Sequence, residues 1–549
     1  MTRITPSTVA LAAGLAAVIG ATALVGQQPA AHDHGTPSDR LGRVHFDTSC
    51  SPAVQPDVDH GVALLHSFWF SAAIDSFTAV LTRDPSCVMA HWGIAMSWWG
   101  NPFGGFRSPQ ALAAGLAAVD AARASGAGSD REKDYVAAVE VLYRDTATRD
   151  QRTRTVAYEK AMEVLVARWP GDVEARIFYA LSLGQTAPPT DKSYANQLKA
   201  ASILQDEFTR QPDHPGLAHY IIHSFDVPPL ASRGLAAARR YAAIAPDAAH
   251  ALHMPSHTFT RLGLWEDSIS TNLASAAASH RDAGAASEEL HALDYQAYAY
   301  LQTAQDDAAK GNVALVPPLA QNIPNAGPGS AAPPTAGYYA AAAIPARYAL
   351  ERAAWEDAAA LTPSVTPFAF ADAVTYFARA LGAARLRRVE AARLDVEKLT
   401  ALRDTLRKAN DAYWTEQVEI QRLGAAAWVA LAARDTSTAL ALMREAVDRE
   451  DATEKAVLTP GPIKPARELL GEMLLQLNQP TEALAEFEAT LVKEPNRFRA
   501  LYGAARAAKA AGNGAQAKSH YAALLRMCGK ADRPGRAELE EARGGAAAR

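Results

Sequence analysis

A chain of 549 residues is longer than one hydrophobic core usually supports, so several domains or an extended repeat array are expected. The hydrophobic fraction is 49% but the aromatic fraction only 7%; Ala supplies much of the difference, and its high helix propensity and small volume favour closely packed helices over sheets. A formal net charge of −5, with acids and bases interspersed and no Lys/Arg-rich run, excludes a nucleic-acid partner held by a basic patch.

The N-terminus, "MTRITPSTVALAAGLAAVIGATALVGQQPAAHDHG", places Arg3 before an apolar run from Val9 to Val25 and closes on small residues and Pro29. This is the pattern of an export signal over residues 1–31, or of an uncleaved N-terminal anchor, with a linker over 32–44. Export would make the protein periplasmic or extracellular, and no later segment is apolar enough to cross a bilayer. Cleavage after Ala31 would also leave His32 with a free amine, a copper-chelating combination. In an oxidising compartment Cys50 and Cys87 are a candidate disulfide, the alternative being two buried thiols, with Cys528 left over.

Next in the chain, "GVALLHSFWFSAAIDSFTAVLTRDP" spaces Gly61, Leu64, Phe70, Ala73, Phe77 and Pro85 as a helix–turn–helix unit. A loop, "WGNPFGGFRS" (99–108), follows where a simple repeat would turn. "RLGLWEDSISTNLASAA" and "LERAAWEDAAAL" carry the turn and second helix of further units. A Pro/Gly-rich stretch over 316–337 separates an N-terminal array (45–315) from a C-terminal one (338–549), and "LTPGPIKPA" (458–466) makes a second break. The last units have Gly471, Ala483, Phe487 and Pro495, then Gly512, Ala517 and Tyr521 one period later. On these residues the chain resembles the tetratricopeptide-repeat superfamily, and the resemblance implies an all-α solenoid of antiparallel helix pairs whose first helices line a concave groove. It is also similar to exported bacterial repeat proteins that share "HSFWF", "MSWWGNPF", "HALHMPSH" and "TPGPIKPARELLGE", a group that implies fold and export but no reaction.

The histidines carry the functional reading. "HYIIH" (His219, His223) and "HMPSH" (His253, His257) each hold an i,i+4 pair, the second thirty-four residues after the first, and His291 lies thirty-four beyond His257. Stacked helices have axes about 8–10 Å apart, so residues one period apart form rows across neighbouring helices. Those imidazoles, with His250, are expected to converge on one ion; imidazole suits Zn, Cu, Fe or Ni, and affinity alone does not choose among them. Asp226, Glu288, Glu289 and Asp294 are the carboxylates able to complete or orient the site, and Tyr295 and Tyr298 lie one and two turns beyond His291. Pro255 inside "HMPSH" either kinks a helix or starts one.

The bland alternatives are duplicated groove histidines that bond water, peptide or buried carbonyls. Elsewhere, His60, His66 and His91 beside Trp69, Trp92, Trp98 and Trp99 offer an aromatic-walled pocket or a packed terminal core. Arg347, Arg379 and Arg422 are anion-binding candidates or salt-bridged arginines, and Arg467, Glu468 and Glu472 read as a helix-start charge arrangement. The chain lacks a G-x-S-x-G elbow, a P-loop, a dinucleotide fingerprint, H-E-x-x-H and a haem-attachment motif. Two functions are therefore carried forward: an exported solenoid with a histidine-rich metal centre, catalytic or not, acting on a peptide or small molecule in its groove; or a non-catalytic scaffold that holds a peptide or partner protein there.

Overall fold

The turns between paired helices explain why this sequence stacks. Phe68, Ala304, Ala353, Arg387, Arg434 and Asn478 each take a left-handed backbone, with φ between 53° and 68°, and Gly263 and Gly512 do the same. Each ends one helix of a pair and lets the chain reverse within three residues, as between Gln55–His66 and Phe70–Arg83 or between Ala466–Gln476 and Pro480–Lys493. The computed structural model describes residues 39–105, 107–282, 285–323 and 331–547; residues 1–31, expected to form an export signal or anchor, and His32 and His34 lie outside them. Its regular structure is entirely helical among the described residues, and no helix there is long and apolar enough to cross a membrane.

Close approach of successive helices depends on glycine facing an aromatic ring. A Cβ on Gly61 would meet the Phe77 ring at 2.7 Å, and one on Gly93 would come closer still, so Phe77 is wedged between two neighbouring helices. Phe487 repeats the arrangement against Gly471, at 2.9 Å, and Gly503. Both rings are fully buried, and each anchors one of two large cores, the first reaching from Leu41 to Phe259 and taking in Ala331, the second from Tyr339 to Ala507.

Several boundaries differ from the sequence expectation. Residues 41–44 are not a free linker: Leu41 is buried in the first core, and Arg43 N donates to Asp213 O at 3.0 Å. The Pro/Gly-rich stretch is narrower than 316–337, because the helix Asp306–Ala320 runs through Pro317 and Pro318 and the next, Pro334–Glu351, starts on a proline. Proline fits a first turn, whose amide has no intrahelical partner, and the last turn of an exposed helix tolerates it. The two arrays also belong to one compact unit, 34–549. Trp265 Nε1 donates to Asn496 O at 2.8 Å, Arg497 donates to Tyr298 Oη at 2.9 Å, and Lys192 pairs with Glu454 at 2.7 Å. Gly263 is required at that contact, since a Cβ there would overlap the carbonyl of Pro495. Cys50 and Cys87 are joined as a disulfide, and Cys528 is free and buried.

Candidate metal centre

Four helical segments bring six imidazoles together: Pro215–Ser224, Ala249–His253, Pro255–Arg261 and Ala286–Gln302. Pro255 both kinks and starts. It occupies the first position of its helix, yet Met254 keeps helical dihedrals, so His253 and His257 remain one turn apart across the break. Their Nε2 atoms lie 3.1 Å from each other.

The six rings divide into two triads, His219/His223/His250 and His253/His257/His291, each with its ligand atoms within 4.8 Å of one another. This departs from convergence on a single ion, and the grouping does not follow rows one period apart. Within the first triad His219 Nε2 is 3.1 Å from His223 Nε2 and 3.2 Å from His250 Nε2. In the second, the ring centroids of His253 and His291 are 4.4 Å apart. The triads abut, with ring centroids 6.1 Å apart for His223–His257 and for His250–His253. They do not line an open groove. All but His223 are buried, because residues 99–105, Ala331–Ala336 and the segment around Leu458 cover them.

Hydrogen bonds at the other ring nitrogen set the tautomers. His257 Nδ1 is 2.9 Å from Asp226 Oδ2, and that carboxylate also takes Arg261 Nε at 2.9 Å and Lys455 Nζ at 3.2 Å. Burial opposes ionisation of Asp226, but Lys455 and Arg261 outweigh it and hold the group well below the usual carboxylate range. An ionised carboxylate only accepts, so His257 Nδ1 carries a hydrogen. His253 Nδ1 donates to Asn272 Oδ1 at 2.7 Å, and the amide orientation is itself set because Asn272 Nδ2 donates to Ser268 O at 2.7 Å. His219 Nδ1 donates to the carbonyl of His66 at 2.7 Å.

Burial keeps these rings neutral. It lowers His219 and His291 to about 3 and takes His223, His250 and His253 well below the ordinary imidazole value. A neutral ring with hydrogen on Nδ1 has a bare Nε2. His253 and His257 therefore point two lone pairs at each other across 3.1 Å, and His219 points one at two neighbours. A cation bound there would convert this repulsion into ligation, since nitrogens 2.0–2.1 Å from a tetrahedral ion lie about 3.4 Å apart.

The remaining candidates separate. Tyr295 belongs to the centre, its hydroxyl 3.3 Å from His257 Nδ1 and donating to the carbonyls of Val457 and Thr459 at 3.2 and 3.1 Å. Glu288 Oε1 lies 3.9 Å from His250 Nδ1. Asp294 does not face the triads; it is buried against Arg347, at 2.9 Å, which also donates to the carbonyls of Gly461 and Pro462. Tyr298 points to Glu494, at 2.7 Å, and Glu289 to His280, at 3.2 Å. On a helix buried all round, only some faces reach the site. Arg379 and Arg422 pair with Asp395 and Glu419. Arg467, Glu468 and Glu472 join ion pairs with Asp451, Lys464, Arg497 and Arg385 rather than merely starting a helix.

Sequence reasoning missed Lys455, Arg261 and Asn272, whose partners are set by tertiary contact alone. It also missed a third buried group, in which Glu174 bridges His66 and His214 at 2.8 Å each and His66 Nδ1 meets Tyr220 Oη at 2.9 Å. Here the Glu174 oxygens already occupy both Nε2 atoms, in a hydrogen-bonded network that positions the His66 carbonyl. His60 and His91 take no part in it. Trp92 is core, while Trp98 and Trp99 line a cavity.

Fold and site together define an all-α stack of helix pairs enclosing a buried hexa-histidine centre. No protein-family model and no curated protein matches the chain. Among solved structures it is similar to a human IFIT1 dimer with m7Gppp-AAAA, at 10% identity and a TM-score of 0.36, covering 80% of this chain and 90% of that one. It is also similar to a chain of the APC/C hetero-tetramer Cut9–Hcn1 (11% identity, TM-score 0.28, 90% and 96% covered) and to the P58(IPK) TPR domain (14%, 0.20, 67% and 98%).

Proposed function

We propose that the two triads bind a pair of transition-metal ions, three imidazoles to each, and that the pair is a copper centre performing oxidative chemistry on an organic molecule. The observation that carries this reading is the 3.1 Å separation of two Nε2 atoms whose Nδ1 partners are both acceptors. Three protein ligands per ion leave an open position, the arrangement of catalytic rather than structural metal sites. The donor set is all neutral nitrogen, which disfavours Mg, Ca and Mn. Charge narrows the choice further. The carboxylate in direct hydrogen bond to a ligand, Asp226, is already matched by Lys455 and Arg261, so beyond Glu288, 3.9 Å from His250 Nδ1, little there offsets two divalent charges in a buried site. Cuprous ions bring half that charge, and in the oxidised state Cu²⁺ heads the affinity order of the divalent ions. Such a pair would supply two-electron chemistry with dioxygen as oxidant. The protein's residues would hold the rings, exclude bulk water and present the substrate. Export is part of the proposal, and the disulfide supports it.

Metal analysis of the purified mature chain tests this directly. Two copper ions per chain are expected, copper displacing zinc when both are offered, and a His219→Ala/His223→Ala variant should retain one. A folded protein that takes up no metal would end the reading, and a centre that fills only with zinc would overturn the copper assignment.

A further inference from the structure

The cavity beside the centre identifies a ligand class. A space of ≈ 720 Å³ lies between the two arrays, walled by Trp98, Trp99, Phe103, Phe368, Phe370 and Trp414. A small cavity of ≈ 20 Å³ reaches His223, His250, His257 and His291 and shares Asn101, Phe103, Gly104, Pro333, Val457 and Leu458 with the large one. Phe103 stands on the boundary, its ring stacked on His223 at 4.3 Å. A molecule in the large cavity thus lies one side chain away from both triads. Flat walls such as Phe370 stacked on Trp414 at 4.1 Å select aromatic rings over aliphatic chains.

The polar groups of the lining are donors in need of an acceptor. Arg107 is a guanidinium whose electrostatic neighbours among the described residues are Tyr143 and Arg154, with no carboxylate paired to it. It lies over Trp99 at 4.8 Å and donates to the carbonyls of Gly105, at 2.7 Å, and Asn101. Its Nε–H has no acceptor, and the same holds for Trp99 Nε1 and Thr335 Oγ1 in the same lining. Desolvation of a cation left without a counter-charge is costly, and Arg is suited to bidentate carboxylate. The cavity's other charged residue, Asp411, is occupied as the N-cap of Ala412–Ala432, accepting from Trp414 N at 3.1 Å.

We infer that this cavity binds a small aromatic carboxylate, its ring between the aromatic walls and its carboxylate on Arg107, and that this is the substrate class of the proposed centre. The role as substrate rests on that centre; the binding itself does not, which separates the two tests. Metal-free protein would be titrated with 3-phenylpropionate, 3-phenylpropanamide and hexanoate, following tryptophan fluorescence and binding heat. The aromatic acid is expected to bind at least tenfold more tightly than either control. Arg107→Gln should bring its affinity to within about twofold of the amide while leaving the amide unchanged. Equal affinities in the unaltered protein, or a preference that survives in Arg107→Gln, would overturn the inference whatever the metal content. Should the variant fail to fold, the three-ligand comparison in the unaltered protein still decides.

Discussion

At the scale of single residues, a histidine ligand is made as much by the atom holding its far nitrogen as by its own place on a helix. His253 illustrates this. Its Nδ1 hydrogen is committed to Asn272, so its Nε2 lone pair is aimed at His257 without further adjustment. In Asn272→Ala the ring is free to rotate or change tautomer, and outer partners of this kind typically contribute 10–100-fold in metal affinity. Metal titration of that variant should therefore show one site weakened by about that factor and the His219 site unchanged. Equal weakening of both would mean that the triads act as one site. The i,i+4 histidine pairs were legible in the sequence because helical periodicity is local. Asn272, Lys455 and Arg261 were not, because nothing local distinguishes an orienting polar residue from a solvated one.

At the scale of elements, the repeat pattern was read from glycine and aromatic spacing, and the packing shows why those positions carry it. Phe77 fills the space that a side chain on Gly61 or Gly93 would occupy. Gly93→Ala should overpack that seam and cost about 1–3 kcal/mol, seen as a lower thermal midpoint, even though alanine is the better helix former. A midpoint unchanged or raised in Gly93→Ala would show that the helices can separate without loss. The middle of the chain was harder to read. The helices Pro215–Ser224 and Ala286–Gln302 are buried on nearly every face, so the amphipathic contrast that marks a surface repeat is missing there. The break at Met254 and Pro255 was likewise ambiguous, because proline fits a kink and a helix start equally well. Phe68 is a second local exception. A bulky residue in the left-handed region is strained, and this one is stacked 5.4 Å from His250, where its ring forms a wall of the first triad.

At the scale of the whole molecule, all six histidines come from one array and much of their enclosure from the other. Lys455 completes the charge on Asp226, Val457 and Thr459 accept from Tyr295, and Leu458 closes the cavity over His291. Arg347 holds Asp294, the Thr459 hydroxyl and the Gly461 and Pro462 carbonyls, and Glu494 and Arg497 hold Tyr298. A fragment of residues 39–323 keeps all six triad histidines but loses each of these partners, leaving buried donors and acceptors unpaired at a cost of about 1–3 kcal/mol apiece. Coordination geometry would then be lost along with the covering segment, and the fragment should bind neither ion with the affinity of the full chain. Adding residues 331–547 in trans should restore binding if the enclosure is what matters. A fragment that alone binds two ions as tightly as the intact protein would show that the C-terminal array serves only the aromatic cavity, and that the triads are a self-sufficient property of three successive helix pairs.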